Sequence, residues 1–266
     1  MTGSAAIGVF DSGVGGLSIL KEIRRALPGE DLIYLADSAY CPYGTKPIPV
    51  IRARSLNVAA FLVGFGIKAL VVACNTASIA GLDEVRSAFP QMPVVGVEPA
   101  IKPAHDLTHN GKIGVLATSL TLKGDRFSVL VERFGTGVEV YTQPAPGLVE
   151  LVEAGKLETP ETEILLHQYL DPLLEKQIDT LVLGCTHYPF LIPIIKKICG
   201  PNITILDTGL AVARQTVRVL EQKRALNPRG SGGEEVFYTS GDPEAVREVV
   251  VKLWPKEQVK VLKAQV

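Results

Sequence analysis

The stretch ALVVACNTAS (69–78) is an apolar run that ends on Cys74 and continues into small hydroxyl and amide residues. The chain nearly repeats it as TLVLGCTHYP (180–189), where the apolar run ends on Cys185. Short apolar runs rich in β-branched residues are typical of buried strands, and small polar residues directly after them favour the start of a helix. We therefore predict that both cysteines stand at the carboxyl end of a strand, each at the beginning of a helix.

Strands and helices are predicted to alternate on either side of these two segments. Strands are predicted at 7–10, 31–36, 69–74, 93–97, 112–118, 137–143, 179–185, 236–240 and near 258–263, and helices at 17–27, 51–66, 122–134, 160–177, 210–226 and after 241–245, with a loop at 227–235. This alternation favours mainly parallel sheets covered by helices, so the predicted fold class is α/β.

The second half of the chain repeats the order of the first. Ile7-Gly8-Val9 matches Ile113-Gly114-Val115, and the cysteines follow 67 and 72 residues after the two isoleucines. We infer an internal pseudo-duplication, and hence two similar domains that each contribute one cysteine.

Composition and charge exclude several classes of protein. The chain has 266 residues, 47% of them hydrophobic, and a net charge of −1 from 27 basic and 28 acidic residues, so no field of one sign favours nucleic acid or an anionic membrane. No apolar stretch approaches the ~18 residues of a spanning helix. No signal-type segment opens the chain. We expect a cytoplasmic protein that binds neither nucleic acid nor membrane.

The four cysteines are too few and too scattered for a disulfide framework or a zinc ribbon, and no His/Cys/carboxylate spacing predicts a metal site. We expect free thiols and no bound metal. A cysteine at the end of an apolar run is most often a small buried hydrophobe, which is the interpretation for Cys41 and Cys199. The duplicated position and the polar followers of Cys74 and Cys185 favour chemistry instead.

The carboxyl ends of parallel strands are where such sheets bind ligands. The predicted strand ends carry Asp11-Ser12, Cys74-Asn75-Thr76, Thr118 and Cys185-Thr186-His187. A thiol at a helix N-terminus is stabilised as the thiolate. Two facing thiols, one ionised and one protonated, can remove a proton from one face of a carbon atom and deliver a proton to the other face.

Two neighbouring features leave alternatives open. The glycines of DSGVGG (11–16) either form a tight turn between strand and helix or contact a ligand directly. His187 is either an ordinary polar residue or, two residues after Cys185, a group that tunes the ionisation of that thiol. The other three histidines have no such neighbour and are interpreted as structural.

Six motifs, in order over nearly the whole chain, resemble those of bacterial glutamate racemases: FDSGVGGLSILKEI, LADSAYCPYGTK, VVACNTAS, GVEPAIKPA, GLVELVEAG and LVLGCTHYPFL. The resemblance implies interconversion of L- and D-glutamate without a cofactor, by two cysteines acting as opposed acid and base, to supply D-glutamate for peptidoglycan. It also implies two α/β domains, 1–97 with 208–266 and 98–207, and an active site in the cleft between them. The expected assembly is a homodimer.

Carried onto this sequence, the resemblance implies that Cys74 acts on D-glutamate and Cys185 acts on L-glutamate. It also implies that Asp11 assists Cys74 and that His187 assists Cys185. Glu150 corresponds to a family carboxylate that assists near the second thiol, and Glu153 competes with it for that role. The implied substrate contacts are Asp11, Ser12, Tyr43, Gly44, Asn75, Thr76, Thr118, Thr186 and His187, with Ser119 and Thr121 offering hydroxyls similar to that of Thr118.

Three other functions stay open at this point. An aspartate racemase would share the cysteine pair and differ in the pocket for the side chain. A hydrolase with a cysteine nucleophile needs one thiol and an orienting histidine, and it leaves the second thiol unexplained. A ligand-binding module would show no turnover.

Overall fold

The structure, a computed structural model, describes residues 3–254, 256 and 258–266. The first part of the chain forms β1 (Ile7–Asp11), α1 (Leu17–Ala26), β2 (Leu32–Ala36), α2 (Ile48–Val63), β3 (Ala69–Val72), α3 (Asn75–Ala88), β4 (Val94–Val95) and α4 (Ile101–Leu107). The rest forms β5 (Lys112–Ala117), α5 (Ser119–Lys123), α6 (Asp125–Phe134), β6 (Glu139–Pro144), α7 (Leu148–Glu153), α8 (Pro160–Glu175), β7 (Thr180–Gly184), α9 (Ile192–Cys199), β8 (Thr204–Leu206), α10 (Gly209–Gln222), β9 (Glu235–Thr239), α11 (Pro243–Leu253) and β10 (Val261–Lys263). Among the helices of these described residues, none combines the length and the apolar character needed to cross a membrane.

The strands form two sheets in which every neighbouring pair is parallel. The first sheet has six strands in the order β10-β9-β2-β1-β3-β4, and the second has four in the order β6-β5-β7-β8. Parallel neighbours need crossover connections, and helices supply them here. The predicted α/β class, with mainly parallel sheets covered by helices, is confirmed.

The two sheets repeat one pattern, which agrees with the predicted duplication. The order β2-β1-β3-β4 in the first sheet matches β6-β5-β7-β8 in the second. A Cβ on Gly8 would lie 2.6 Å from Cδ1 of Ile67, and a Cβ on Gly114 would lie 2.6 Å from Cδ1 of Ile178. In each half, therefore, the isoleucine that leads into the cysteine strand packs directly on the glycine of the central strand.

The end of the chain returns to the first sheet. Strand β9 pairs with β2, β10 pairs with β9, and α10 packs on α1. Helix α4, in contrast, packs against α6 and against β7 of the second sheet. This arrangement supports the division into 1–97 with 208–266 and 98–207, which stays a prediction.

The two cysteine segments differ in the structure that comes after the strand. Helix α3 begins directly after Cys74, as predicted. After Cys185 the chain forms a 3-10 turn, Tyr188–Leu191, and α9 begins only at Ile192. A helix that began next to Cys185 would hold Pro193 in its interior, where the ring clashes with a backbone carbonyl and no N–H is available. The prediction of a helix starting at the second cysteine is therefore wrong.

Apolar side chains from both halves form one continuous cluster. It runs from Leu17 on α1 to Leu148 on α7 and Leu183 on β7. The carboxyl ends of β1 and β7 meet beside this cluster, where the hydroxyl of Thr186 donates to Oδ2 of Asp11 at 3.0 Å. The fold thus brings the predicted polar strand ends of the two halves together.

Candidate active site

Cys74 occupies the N-cap position of α3. Its Sγ accepts a hydrogen bond from the backbone N–H of Ala77 at 3.4 Å, and the thiol donates to Oγ of Ser12 at 3.7 Å. The Ser12 hydroxyl in turn donates to Oδ1 of Asp11 at 3.3 Å. A serine hydroxyl therefore connects the first thiol with the buried carboxyl group.

The surroundings of Cys74 favour its protonated form, one of the two states that the sequence argument requires of the pair of thiols. Burial raises the pKa of Cys74 well above its ordinary value and Asp11 raises it further, whereas the N–H of Ala77 lowers it by less. The thiol is therefore the favoured form, because burial outweighs the helix N-terminus. Burial also raises the pKa of Asp11, although His187 and the donors around the carboxyl group act in the opposite direction.

Cys185 lies beside a histidine that is tied to a carboxylate. Its Sγ is 3.8 Å from Nδ1 of His187, and Nε2 of His187 is 2.6 Å from Oε1 of Glu153. The same Glu153 oxygen accepts from the N–H of Val14 at 2.7 Å. Burial lowers the pKa of His187, but hydrogen bonds with Cys185, Cys41 and Glu153 outweigh it and raise this pKa well above its ordinary value. The imidazolium is therefore the favoured form beside the second thiol.

The structure places Glu150 and Glu153, the two candidates for the assisting glutamate, in different surroundings. Glu150 is exposed and lines the outer part of the cleft together with Ser119, whereas Glu153 reaches His187. Both glutamates lie on α7, and Glu153 stands one turn further along it. Glu153, the residue ranked second, is thus the carboxylate next to the His187 and Cys185 pair.

The two remaining cysteines have different surroundings. Cys199 ends α9 and packs, half-buried, against the apolar cluster, which agrees with a structural interpretation. Cys41 instead lies at the site: its Sγ, a carboxylate oxygen of Glu153 and a ring nitrogen of His187 are within 4.8 Å of one another. Burial raises the pKa of Cys41 to about 12. Cys41 also packs, half-buried, against the apolar cluster, which agrees with its interpretation as a small hydrophobe, but it lies beside His187 and Glu153, a position that the sequence did not predict.

A cavity between the two halves reaches both thiols. It is lined by Ser12, Pro42, Tyr43, Gly44, Cys74, Asn75, Thr76, Thr118, Val149, Cys185, Thr186 and His187. Asn75 is 3% exposed, and neither its amide oxygen nor its amide nitrogen has a hydrogen-bond partner in the described part of the chain. Buried polar groups are normally paired, so this amide is available to a ligand.

Tyr43 lines the cavity, and its hydroxyl is bound by a buried carboxylate. Its hydroxyl donates to Oδ2 of Asp37 at 2.5 Å. Arg54 binds the same carboxylate through Nε at 2.9 Å and Nη2 at 2.7 Å. The phenol hydroxyl is thus occupied, and Asp37 with Arg54 fixes the segment that carries Tyr43 and Gly44. Asp37 belongs to the motif LADSAYCPYGTK and Arg54 lies outside the six motifs, and neither residue is among the site residues predicted from the sequence.

Threonine hydroxyls form the wall opposite that segment. Oγ1 of Thr118 lies 3.1 Å from that of Thr76 and donates to that of Thr121 at 2.9 Å. A Cβ on Gly44 would lie 3.0 Å from Cβ of Thr118, so this position packs on the threonine across the cleft. Of the competing hydroxyls, Thr118 lines the cavity and Thr121 lies behind it.

The glycines of DSGVGG pack against side chains of the site. A Cβ on Gly13 would lie 1.9 Å from Oε1 of Glu153, and one on Gly15 would lie 2.2 Å from Nδ1 of His187. The N–H of Gly16 donates to Oδ2 of Asp11 at 2.6 Å. These glycines therefore form the tight turn and also leave the room that Glu153 and His187 occupy.

Known proteins share both the sequence and the fold of this chain. Residues 7–216 match the family described as Asp/Glu/Hydantoin racemase. The chain is 52% identical to the glutamate racemase of Pseudomonas aeruginosa, over 94% of each protein. The crystal structure of Francisella tularensis glutamate racemase in complex with D-glutamate has a TM-score of 0.86 at 32% identity, covering 99% of this chain and 98% of that one. That of Escherichia coli glutamate racemase in complex with L-glutamate and the activator UDP-MurNAc-ala has a TM-score of 0.85 at 33% identity, covering 97% of each. The chain therefore belongs to the Asp/Glu/Hydantoin racemase family.

Proposed function

We propose that the protein interconverts L- and D-glutamate without a cofactor, with Cys74 and Cys185 as the opposed acid and base. The observation that carries this proposal is that the two thiols, at matching strand ends of the duplicated halves, line the same cavity. An acid and a base on opposite sides of one carbon can invert its configuration by proton transfer. The substrate is taken from the relative named glutamate racemase and from the solved structures that contain glutamate.

The protonation states support a reaction in the direction from L-glutamate. In this direction Cys185, whose Sγ is 3.8 Å from Nδ1 of His187, acts as the base and removes the α-hydrogen as a proton. The electron pair left on the carbon then takes the proton of the Cys74 thiol on the opposite face. In the reverse direction, Cys74 first loses its proton through Ser12 to Asp11, whose raised pKa makes the carboxylate a competent acceptor, and the Cys185 thiolate takes the Nδ1 proton of His187. The Cys74 thiolate then removes the α-hydrogen of D-glutamate, and the Cys185 thiol delivers its proton to the opposite face.

Binding and stabilisation of the substrate depend on the same cavity. The unpaired amide of Asn75 and the hydroxyls of Thr76 and Thr118 can hold carboxylate and ammonium groups. Oriented donors in a closed, water-poor site stabilise negative charge that develops near the α-carboxylate. This contribution is needed because an amino acid is a weak carbon acid.

The proposal is tested by following the racemisation of glutamate in heavy water. The protein is first treated with a chelator and freed of any cofactor that carries a carbonyl group. We expect early product to carry deuterium at the α-carbon while recovered substrate stays nearly unlabelled. The reason is that the donor thiol holds solvent-derived deuterium, whereas the base returns the hydrogen it removed. Proton NMR of both enantiomers during the first few per cent of turnover gives the measurement.

Other outcomes of the same experiment have distinct meanings. Equal early labelling of substrate and product would indicate one shared base and would contradict the opposed pair. A faster reaction with aspartate than with glutamate would keep the two-thiol chemistry and replace the substrate. Absence of turnover with either amino acid would contradict the proposed function.

Replacement of Gly15 with alanine is expected to lower kcat by about 10²-fold or more, the lower end of what a positioned acid or base contributes. The new Cβ would stand 2.2 Å from Nδ1 of His187, so the imidazole must leave its place beside Cys185. Gly230→Ala is the matched control, since its Cβ would meet nothing within 4 Å among the residues that the structure describes. Equal activity of the two variants would show that the His187 position does not matter.

The proposal extends to the cellular role. We infer that the D-glutamate is used for peptidoglycan, that the protein acts in the cytoplasm, and that two copies form a homodimer. Growth of a D-glutamate auxotroph after expression of the chain tests the first inference, fractionation of the same cells tests the second, and analytical ultracentrifugation tests the third. Glutamate turnover without rescue of the auxotroph would separate the activity from the role.

A further inference from the structure

Cys41, Glu153 and His187 come together although they are far apart in the sequence. Their sulfur, oxygen and nitrogen atoms lie within 4.8 Å of one another, with His187 buried and the other two half-buried. They belong to three separate parts of the fold: the loop after β2, the end of α7 and the turn after β7. The Cys41 thiol and the Glu153 carboxylate do not line the cavity between the two thiols.

The chemistry of this group matches a soft divalent cation. Thiolate, imidazole and carboxylate are all ligands of Zn²⁺, at about 2.3 Å for sulfur and about 2.0–2.2 Å for nitrogen and oxygen. Tetrahedral geometry at these lengths separates the ligand atoms by about 3.3–3.6 Å. The three atoms lie within 4.8 Å of one another, so the side chains would have to adjust to reach that spacing. The sulfur ligand favours Zn²⁺ or Cd²⁺ over Mg²⁺ or Ca²⁺, which prefer oxygen.

We propose that Cys41, Glu153 and His187 form a binding site for a thiophilic divalent cation, and that the bound ion inhibits the enzyme. Binding replaces the thiol proton of Cys41 and the proton held between Nε2 of His187 and Glu153, and both protons pass to solvent. Three protein ligands leave the fourth position of a tetrahedral ion to water.

Inhibition results from the position of the ion. Nε2 of His187 and Oε1 of Glu153 are 2.6 Å apart and must separate to the spacing of two metal ligands. This movement shifts the imidazole relative to Cys185, whose Sγ is 3.8 Å from Nδ1. The inhibitory part of the proposal rests on the proposed function, whereas binding of the cation does not.

Cobalt binding to the reduced full-length protein tests the site directly. We expect one equivalent of Co²⁺ to give visible bands of a tetrahedral ion together with a near-ultraviolet thiolate-to-cobalt band, both removed by Zn²⁺. Cys41→Ser is expected to lose the near-ultraviolet band and to bind Co²⁺ at least ~10-fold more weakly. Replacing a residue that only supports a metal ligand already weakens metal binding by about 10–100-fold, and losing a ligand should weaken it at least as much. Glu153→Gln is the second variant, and Cys199→Ser is the control that keeps wild-type binding.

Zn²⁺ titration of racemase activity completes the test. We expect Zn²⁺ to inhibit the wild type and Cys199→Ser, a chelator to restore activity, and Cys41→Ser to need at least ~10-fold more Zn²⁺. No cobalt spectrum, or an unchanged spectrum in folded Cys41→Ser, would overturn the site. Binding without inhibition would overturn the inhibitory role alone. If no variant racemises glutamate, the proposed function and the inhibitory role fail together, and the cobalt spectra still decide the site.

Discussion

Replacement of either Cys74 or Cys185 with alanine is expected to abolish racemisation, with kcat/KM falling by about 10³-fold or more in both directions. Each variant leaves one face of the α-carbon without an acid or base, so the reaction cannot be completed from either enantiomer. The remaining thiol can still exchange the α-hydrogen of one enantiomer slowly with solvent. Circular dichroism of L- and D-glutamate solutions measures the racemisation, and proton NMR in heavy water measures the exchange.

Cys199→Ala is the matched control for these two variants. Cys199 is also a free cysteine, but it ends α9 away from the cavity, so the activity of this variant should equal that of the unmodified protein. We expect Cys185→Ala to exchange only D-glutamate and Cys74→Ala only L-glutamate. Racemisation within tenfold of wild type after either replacement would contradict the opposed pair.

Replacement of Arg54 with methionine is expected to cost about 3–5 kcal/mol of unfolding free energy, the usual result of removing one partner of a buried ion pair. The side chains of Arg54 and Asp37 are 7% and 0% exposed, so Asp37 would stay buried with no cation beside it. At roughly 2–4 °C per kcal/mol for a chain near this size, the melting temperature should fall by about 10 °C. Differential scanning calorimetry and urea unfolding give the measurement.

Arg25→Met is the matched control, because Arg25 pairs with Glu22 on the surface and is 77% exposed. Exposed pairs contribute little, so its unfolding free energy should change by no more than about 1 kcal/mol. A double variant, Arg54→Met with Asp37→Leu, should recover part of the loss, because no uncompensated charge remains. Similar losses for Arg54→Met and Arg25→Met would show that the buried pair does not stabilise the fold.

The features predicted well from sequence are those set by neighbouring residues. The strand before each cysteine and the strand that begins Ile-Gly-Val were located because their side chains are buried on both faces and read as continuous apolar runs. The polar residues next to Cys74 and Cys185 could be assigned to one edge of a sheet, because parallel strands place their carboxyl ends there. The repeated order of the strands in the two halves is visible in the sequence because each of these strands reads as a continuous apolar run.

Other features depend on contacts between distant residues. Cys41 meets Glu153 and His187 only after the two halves are assembled, so its apolar surroundings in the sequence indicated an inert thiol. Glu150 and Glu153 are three residues apart on α7 and project to nearly the same side, so helical periodicity cannot choose between them. The favoured state of Cys74 depends on how completely the second half excludes water, which outweighs the local effect of the helix N-terminus.

Several polar contacts join the halves at the site, among them Thr186 to Asp11, Ser18 to the backbone oxygen of Thr186, and the N–H of Val14 to Glu153. Any opening wide enough to admit an amino acid separates groups on opposite sides of these contacts. In the open protein, Cys74 and Cys185 therefore lack some of the neighbouring groups that adjust their protonation in the closed site. Attack by alkylating and oxidising agents is accordingly confined to the time the cleft spends open, and a substrate that holds the cleft closed also protects the cysteines.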